Sequence, residues 1–125
     1  MLNVALVALG GALGSMARYG VAVAAARWLG LGFPYGTLFV NVTGSFAMGV
    51  LVEVLTRHLA ATPELRVFLA VGVLGGYTTF SSFSLDAIAL WEGGNQGVAV
   101  LYVGLSLVVG LLALAAGMAL VRHLG

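Results

Sequence analysis

An otherwise apolar stretch of the chain is interrupted by ten residues, 75–84, with the sequence GGYTTFSSFS. Residues 68–74 before it and 85–91 after it are mostly apolar, so a spanning helix would carry these hydroxyl groups near the middle of a membrane. Polar groups left unpaired in hydrocarbon are strongly destabilising. Such a segment persists where it is buried in protein or lines a cavity for ions or water, and it therefore indicates transport.

The composition places this segment in a membrane protein. Of the 125 residues, 62% are hydrophobic and only 7% are charged, whereas about a quarter of the residues in a soluble domain are charged. A net charge of +1 with scattered basic residues argues against a nucleic-acid partner. The chain has no cysteine, which excludes disulfides, thiolate metal sites and cysteine nucleophiles. Without paired acids or a central histidine, the sequence predicts no enzyme.

Four segments are long and apolar enough to cross a bilayer, which takes roughly 20 residues each. They are predicted at about 2–26, 35–56, 66–91 and 97–121, with the third interrupted at 75–79. The connections are short, so neighbouring helices are antiparallel and residues 1–125 form one domain. The predicted fold class is therefore an all-α membrane protein with four transmembrane helices and a third helix that is broken near its middle.

Small residues recur at a spacing of four along the first and third segments. Gly10 and Gly14 form one such pair, and Gly72 and Gly76 form another. Pairs of this kind let two helix backbones approach closely in a membrane. Close packing is the simpler explanation for most of the 19 glycines.

The distribution of arginine gives weak information on orientation. The N-terminal side of the membrane also holds Arg57, Arg66 and Arg122. The opposite side holds Arg27, and also Arg18 if that residue lies near the end of its helix. This bias weakly favours a cytoplasmic N-terminus. A bias so small also fits insertion in both orientations and pairing as an antiparallel dimer, since four short helices enclose little interior.

A polar stripe runs along the second segment. Thr37, Asn41 and Ser45 are spaced i, i+4 and i+8, so they share one face of an otherwise apolar helix. Asn41 is the most demanding member, because an amide in hydrocarbon seeks up to four hydrogen bonds. The stripe serves either to pair helices by hydrogen bonding or to line a polar pathway.

Two phenylalanines in the third segment, Phe80 and Phe83, are spaced i, i+3 and face the same way. Ordinary aromatic packing would explain an isolated pair. The alternative uses the electropositive edge of each ring, which could contact a dehydrated anion without the full positive charge that would trap it.

Other polar residues in the predicted spans also have two interpretations. Tyr102, Ser106 and Gly110 form either a further polar line or a packing face in the fourth segment. Asp86, expected in a vestibule near the end of the third segment, and Arg18 are functional candidates, as ionisable groups near a membrane are in general. Both could instead reach the interface by snorkelling.

Three motifs occur in order along the chain. The first, at 11–19, is G-x-x-G-x-x-x-R-Y, and the second, at 36–49, is G-T-L-x-x-N-x-x-G-S-F-x-x-G. The third and most specific, at 75–86, is G-G-Y-T-T-F-S-S-F-S-x-D. Over nearly its full length the chain resembles the Fluc (CrcB) family of fluoride channels.

The resemblance implies a fluoride-selective channel that lets cytoplasmic fluoride leave the cell, in the plasma (inner) membrane of a prokaryote. It implies an antiparallel, dual-topology homodimer with two pores, in contact with the lipid bilayer. It also implies one structural sodium ion at the dimer centre, where the broken third helices cross. Backbone carbonyls of Gly75 and Thr78 would bind this ion.

The same resemblance assigns roles in the pore. Phe80 and Phe83 would present their edges to fluoride, and Asn41 would donate a hydrogen bond to it. A departure occurs at Tyr77, where the family more often has leucine or phenylalanine. The remaining positions that would line the pore with polar groups are Thr37, Ser82, Tyr102 and Ser106.

Physical chemistry separates this prediction from two alternatives. Fluoride is strongly hydrated and needs replacement donors along its path, which amide and hydroxyl groups supply. A proton-coupled small multidrug transporter needs a carboxylate deep in the membrane, but Glu53 and Asp86 lie toward helix ends. If the chain were a membrane subunit that does not transport, Asn41, Phe80 and Phe83 would tolerate conservative change without loss of ion flux.

Overall fold

The computed structural model describes residues 1–57 and 62–125, and these residues form helices and no strand. Residues 58–61 of the predicted second connection lie outside the described part. The helices are α1 (Leu2–Leu29), α2 (Tyr35–Arg57), α3 (Pro63–Arg66), a π-helical segment (Val67–Leu74), α4 (Gly75–Tyr77), α5 (Phe80–Glu92) and α6 (Gln96–Leu124).

Four helical stretches are long and apolar enough to cross a membrane: α1, α2, Pro63–Glu92 and α6. We refer to them as the first to fourth spans, the third containing α3, the π-helical segment, α4 and α5. The prediction of an all-helical chain with four such spans is confirmed. Each span is longer than the apolar segment predicted for it, because charged and polar residues at the ends continue the helix beyond the hydrocarbon-matching part.

Local signals in the sequence explain where the third span begins. Thr62 has an extended backbone, and its hydroxyl accepts a hydrogen bond from the amide of Leu65 at 3.2 Å. Pro63 then occupies the first helical turn, where its missing N–H would have had no partner. Glu64 in this first turn also favours the helix N-terminus electrostatically.

The first and third spans pack backbone against backbone at the two glycine pairs; the glycine spacing predicted close packing but not which spans would meet. A β-carbon built on Gly10 would lie 2.9 Å from the Gly72 Cα, and one built on Gly76 would lie 2.7 Å from the Gly11 carbonyl oxygen. A β-carbon at Gly14 would collide with the backbone of the π-helical segment. Only glycine therefore permits this approach.

The backbone of the third span changes character twice. The π-helical segment, Val67–Leu74, is followed by α-helical residues Gly75–Tyr77. Thr78 (φ −87°, ψ 159°) and Thr79 (φ −152°, ψ 123°) are extended, and α5 begins at Phe80. The axis of the span bends by 16°.

This geometry corrects the expected position of the interruption, which was 75–79. Gly75 and Gly76 keep a helical backbone, so the glycine pair does not unwind the helix. The reason is the close contact with the first span, in which Gly76 lies against Gly11. The extended residues are confined to Thr78 and Thr79.

Candidate ion pathway

Thr78 and Thr79 form the extended pair of the third span, and the Asn41 carboxamide makes two hydrogen bonds with the backbone of Thr79. Its Nδ2 donates to the Thr79 carbonyl oxygen at 3.0 Å, and the Thr79 amide donates to its Oδ1 at 2.8 Å. Because a backbone N–H must meet an oxygen, these two bonds fix the orientation of the amide. One hydrogen of Nδ2 remains available after these contacts.

Asn41 and the Thr79 hydroxyl each divert a hydrogen-bond donor away from a backbone carbonyl. In a continuous helix the Thr79 amide would donate to the Gly75 carbonyl four residues earlier, but it donates to Asn41 instead. The Ser82 amide would likewise donate to the Thr78 carbonyl, but it donates to the Thr79 hydroxyl at 3.1 Å. The carbonyls of Gly75 and Thr78 have thus both lost their helical donors.

Arg18 reaches the same region from the first span. Its Nε donates to the Gly76 carbonyl oxygen at 3.1 Å, and the residue is half-buried. The sequence left open whether this side chain snorkels to the interface. The structure shows it bonded to the third span next to the extended residues, where it supplies a donor to a further backbone carbonyl.

A continuous series of aromatic rings leads away from the extended pair. The ring centroids of Phe80 and Phe83 lie 5.8 Å apart, and those of Phe83 and Tyr102 lie 5.3 Å apart. Phe33 meets Tyr102 edge to face at 5.5 Å, with an interplanar angle of 87°. Tyr102 is fully buried, whereas Phe80 is 77% exposed in the single chain.

Predicted polar positions cluster beyond these rings. The Tyr102 hydroxyl donates to Asp86 Oδ2 at 3.2 Å. Asp86 and Thr37 line a cavity of about 480 Å³, whose wall also includes Phe33. One turn along α6, Ser106 Oγ is buried and has no hydrogen-bond partner among the residues that the structure describes.

Several hydroxyls of the region are satisfied within their own helices. Thr78 Oγ1 donates to the Leu74 carbonyl, and Ser84 Oγ donates to the Phe80 carbonyl, each at 3.0 Å. Such bonds to the carbonyl four residues earlier remove a hydroxyl as an ion contact. Ser106 differs from these residues because its hydroxyl has no such bond in the described part of the chain.

The Tyr77 hydroxyl makes a contact between two spans. It lies 2.9 Å from Thr43 Oγ1, so it connects α4 to α2. A leucine or phenylalanine at this position would lack the hydrogen bond.

Two residues of the site were missed by sequence reasoning. Thr79 holds Asn41 and caps α5, and a threonine directly before a helix start is a recognisable N-cap signal. Phe33 packs on Tyr102 from the loop before α2, and no local pattern distinguishes it from other loop residues. Of the predicted residues, Ser82 lies in the first turn of α5, between Phe80 and Phe83 in sequence.

Comparison with known proteins supports the resemblance found in the motifs. A family described as CrcB-like protein, Camphor Resistance (CrcB), matches residues 5–118. A protein of Agrobacterium fabrum named fluoride-specific ion channel FluC is 56% identical over 124 residues, 99% of each chain. Proteins with the same name from Rhizobium meliloti and Rhodospirillum centenum are 53% and 52% identical over 122 residues, with coverage of 97–98% of either chain.

These similarities decide two of the predictions. The assignment from the three motifs is confirmed, since the match extends over nearly the whole chain. The expectation that the chain is not an enzyme is also confirmed, because the relatives of this family are ion channels. The chain belongs to the CrcB family.

Proposed function

We propose that the chain is a fluoride-selective ion channel that lets fluoride leave the cytoplasm passively and so lowers its toxicity. The names of its relatives support this function. The observation that carries it is the convergence of an amide and an aromatic pair at mid-span. Asn41 binds Thr79, and Phe80 follows Thr79 directly and packs against Phe83.

The groups around the extended pair suit a small, dehydrated anion. The remaining Nδ2 hydrogen of Asn41 offers a donor at the extended pair, and the Ser106 hydroxyl, which has no partner in the described part of the chain, offers one beyond the aromatic rings. Thr37 and Ser82 add hydroxyls along the same route, and the edges of Phe80 and Phe83 add weak positive potential. The chain has no lysine, and the Arg18 guanidinium next to the extended residues donates to the Gly76 carbonyl.

Helix α5 adds a favourable field. It begins at Phe80, inside the third span, and its N-terminus carries a partial positive charge from the aligned peptide dipoles. A helix start at this depth is a consequence of the two extended residues before it. The resulting potential favours an anion without introducing a titratable group.

We also propose that the site holds one structural sodium ion at the carbonyls of Gly75 and Thr78. These residues fit the ion because both carbonyls have lost their helical donors, and neutral oxygen atoms are the ligands a hard cation prefers. When bound, the ion would supply positive charge that compensates these carbonyls. Two oxygens are fewer than such a cation coordinates, so a second copy of the chain would complete the site.

The proposed assembly is an antiparallel, dual-topology homodimer with two pores in the plasma (inner) membrane of a prokaryote. Bacterial relatives and four apolar spans support a multi-pass protein in such a membrane. The exposed ring of Phe80 supports the dimer, because an ion passing it in a single chain would meet no opposite wall. The weak arginine bias between the two ends is compatible with insertion both ways.

Halide release from liposomes that contain the purified protein tests the channel. Electrodes selective for fluoride and chloride would record each ion while an ionophore clamps the voltage. We expect fast fluoride release with little chloride release. Equal release of both halides would discard the selectivity mechanism, and no release from a folded dimer would favour a transporter or a subunit that only packs helices.

Orientation is tested separately in cell membranes. Because the chain has no native cysteine, an introduced cysteine is the only thiol of the protein that can be labelled. A Gly125→Cys variant would be labelled with an impermeant thiol reagent before and after the cells are opened. We expect a substantial fraction of the chains to react in each step. Labelling confined to one side would exclude dual topology and, with it, the two-pore arrangement.

A further inference from the structure

A buried carboxylate joins the ends of the second and fourth spans. Glu53 is only 6% exposed, and its Oε2 accepts from Arg57 Nε at 2.6 Å. Its Oε1 accepts from Arg122 Nε at 2.9 Å and lies 2.8 Å from Arg122 Nη2. One carboxylate thus holds two guanidinium groups, and the cluster keeps a net charge of +1.

The two guanidinium groups retain unused binding capacity. Their side chains are 48% and 50% exposed, while the Glu53 side chain between them is 8% exposed. Within the described part of the chain, Arg57 bonds Glu53 through Nε, which leaves its two terminal nitrogens. A guanidinium presents five donors in a planar fork that matches phosphate oxygens. Both arginines lie in the last turns of their helices, where the dipole favours positive charge.

An apolar groove of about 470 Å³ lies between α2 and the third span. Phe46, Val50 and Val54 line it from α2 at spacings of four, and Arg57 follows Val54 after three residues. The groove therefore runs along one face of α2 for about 12 Å, and its last α2 residue lies one helical turn before Arg57. The other residues that line it are Ala47, Leu51, Leu69, Val73 and Leu74.

We propose that this surface binds an anionic phospholipid, with its phosphate on Arg57 and Arg122 and one acyl chain in the apolar groove. Charge complementarity selects this occupant, because the cluster has a surplus positive charge at the membrane surface above a purely apolar wall. Basic pockets between transmembrane helices bind acidic headgroups for this reason. The carboxylate of Glu53 would hold the two guanidinium groups in place, so little side-chain entropy remains to be lost when the lipid binds.

Lipid retention measured by native mass spectrometry tests the proposal without any transport assay. Purified protein would be exposed to equal amounts of dioleoyl phosphatidylglycerol and dioleoyl phosphatidylcholine. We expect the wild type to retain phosphatidylglycerol preferentially. Arg57→Gln and Arg122→Gln should each weaken that retention about tenfold, the loss of one charge-assisted contact.

Two further variants separate the groove from general electrostatics. Val54→Trp fills the groove and leaves both arginines, and it should reduce retention of phosphatidylglycerol as well. Arg27→Gln removes an exposed arginine at the opposite end of the spans and should leave retention unchanged. Inorganic phosphate should fail to displace the lipid from the wild type.

Four outcomes would overturn the proposal. Equal retention of the two lipids would exclude headgroup recognition, and an equal loss in Arg27→Gln would reduce the effect to overall charge. Displacement by inorganic phosphate, with Val54→Trp unaffected, would leave a phosphate site without a lipid groove. Conversion of the dimer to monomers by Val54→Trp would show that a second copy covers the groove. If either arginine variant fails to fold, Val54→Trp decides the question, because it keeps the charged cluster intact.

Discussion

Replacing Asn41 with leucine is expected to abolish fluoride conduction and to lower the stability of the fold. Leucine has a similar size but cannot pair with the amide and carbonyl of Thr79, which are bonded to Asn41 at 2.8 and 3.0 Å. Each buried backbone group left unpaired costs about 1–3 kcal/mol, and the hydrocarbon offers no water as a substitute. Thermal unfolding in detergent and fluoride release from liposomes would measure the two effects.

Two other variants complement this test. Asn41→Asp keeps the acceptor for the Thr79 amide, but its negative charge faces the Thr79 carbonyl inside the membrane, so we expect a loss of stability as well as little conduction. Thr43→Val, two residues after Asn41 on α2, removes only the hydroxyl contacts to Phe39 and Tyr77. It should cost about 0.6 kcal/mol. Wild-type conduction and stability in Asn41→Leu would contradict the arrangement.

The second large effect is expected from Phe80→Ile and Phe83→Ile. Isoleucine keeps most of the side-chain bulk but lacks the electropositive ring edge that we assign to the anion path. Each change should slow fluoride release at least tenfold, which corresponds to a barrier higher by about 1.4 kcal/mol. Loss of the ring contact between Phe83 and Tyr102 would add to the effect at that position.

A matched substitution controls for the loss of an aromatic side chain. Phe39 lies in α2, is 54% exposed and belongs to none of the ring contacts described above. Phe39→Ile should therefore release fluoride at the wild-type rate. Size-exclusion chromatography should show all three variants at the wild-type elution volume. The phenylalanine mechanism fails if Phe80→Ile and Phe83→Ile conduct like Phe39→Ile.

The spans could be predicted because the hydrophobic effect acts on segments of a fixed length. Four apolar stretches of bilayer length, with polar residues between them, leave few alternative folds for the chain. Close packing of the first and third spans was also foreseeable, since Gly10 and Gly72 each have a second glycine four residues later, but the spacing did not say that these two spans would meet each other. These features are local in the sequence.

The details of the site depend on tertiary register, which single-sequence patterns do not contain. The glycine pair at 75–76 suggested unwinding there, yet contact with the first span keeps it helical. Whether Arg18 snorkels or binds inward depends on the position of the Gly76 carbonyl on another helix. Asn41 was recognised as important from its residue type, but its partner, Thr79, is 38 residues away in sequence.

The π-helical segment Val67–Leu74 lets the third span hold more residues than an α-helix would between the same two ends. A π-turn closes its hydrogen bond one residue further along than an α-turn, so it stores an extra residue within the helix. Removing one residue there would let the segment rewind as an α-helix while Gly76 keeps its place against Gly11. The same deletion within 75–84 has no stored residue to draw on and would shift the residues after it relative to Asn41. The span is thus tolerant of a change in length in one half and intolerant of it in the half that carries the polar sequence.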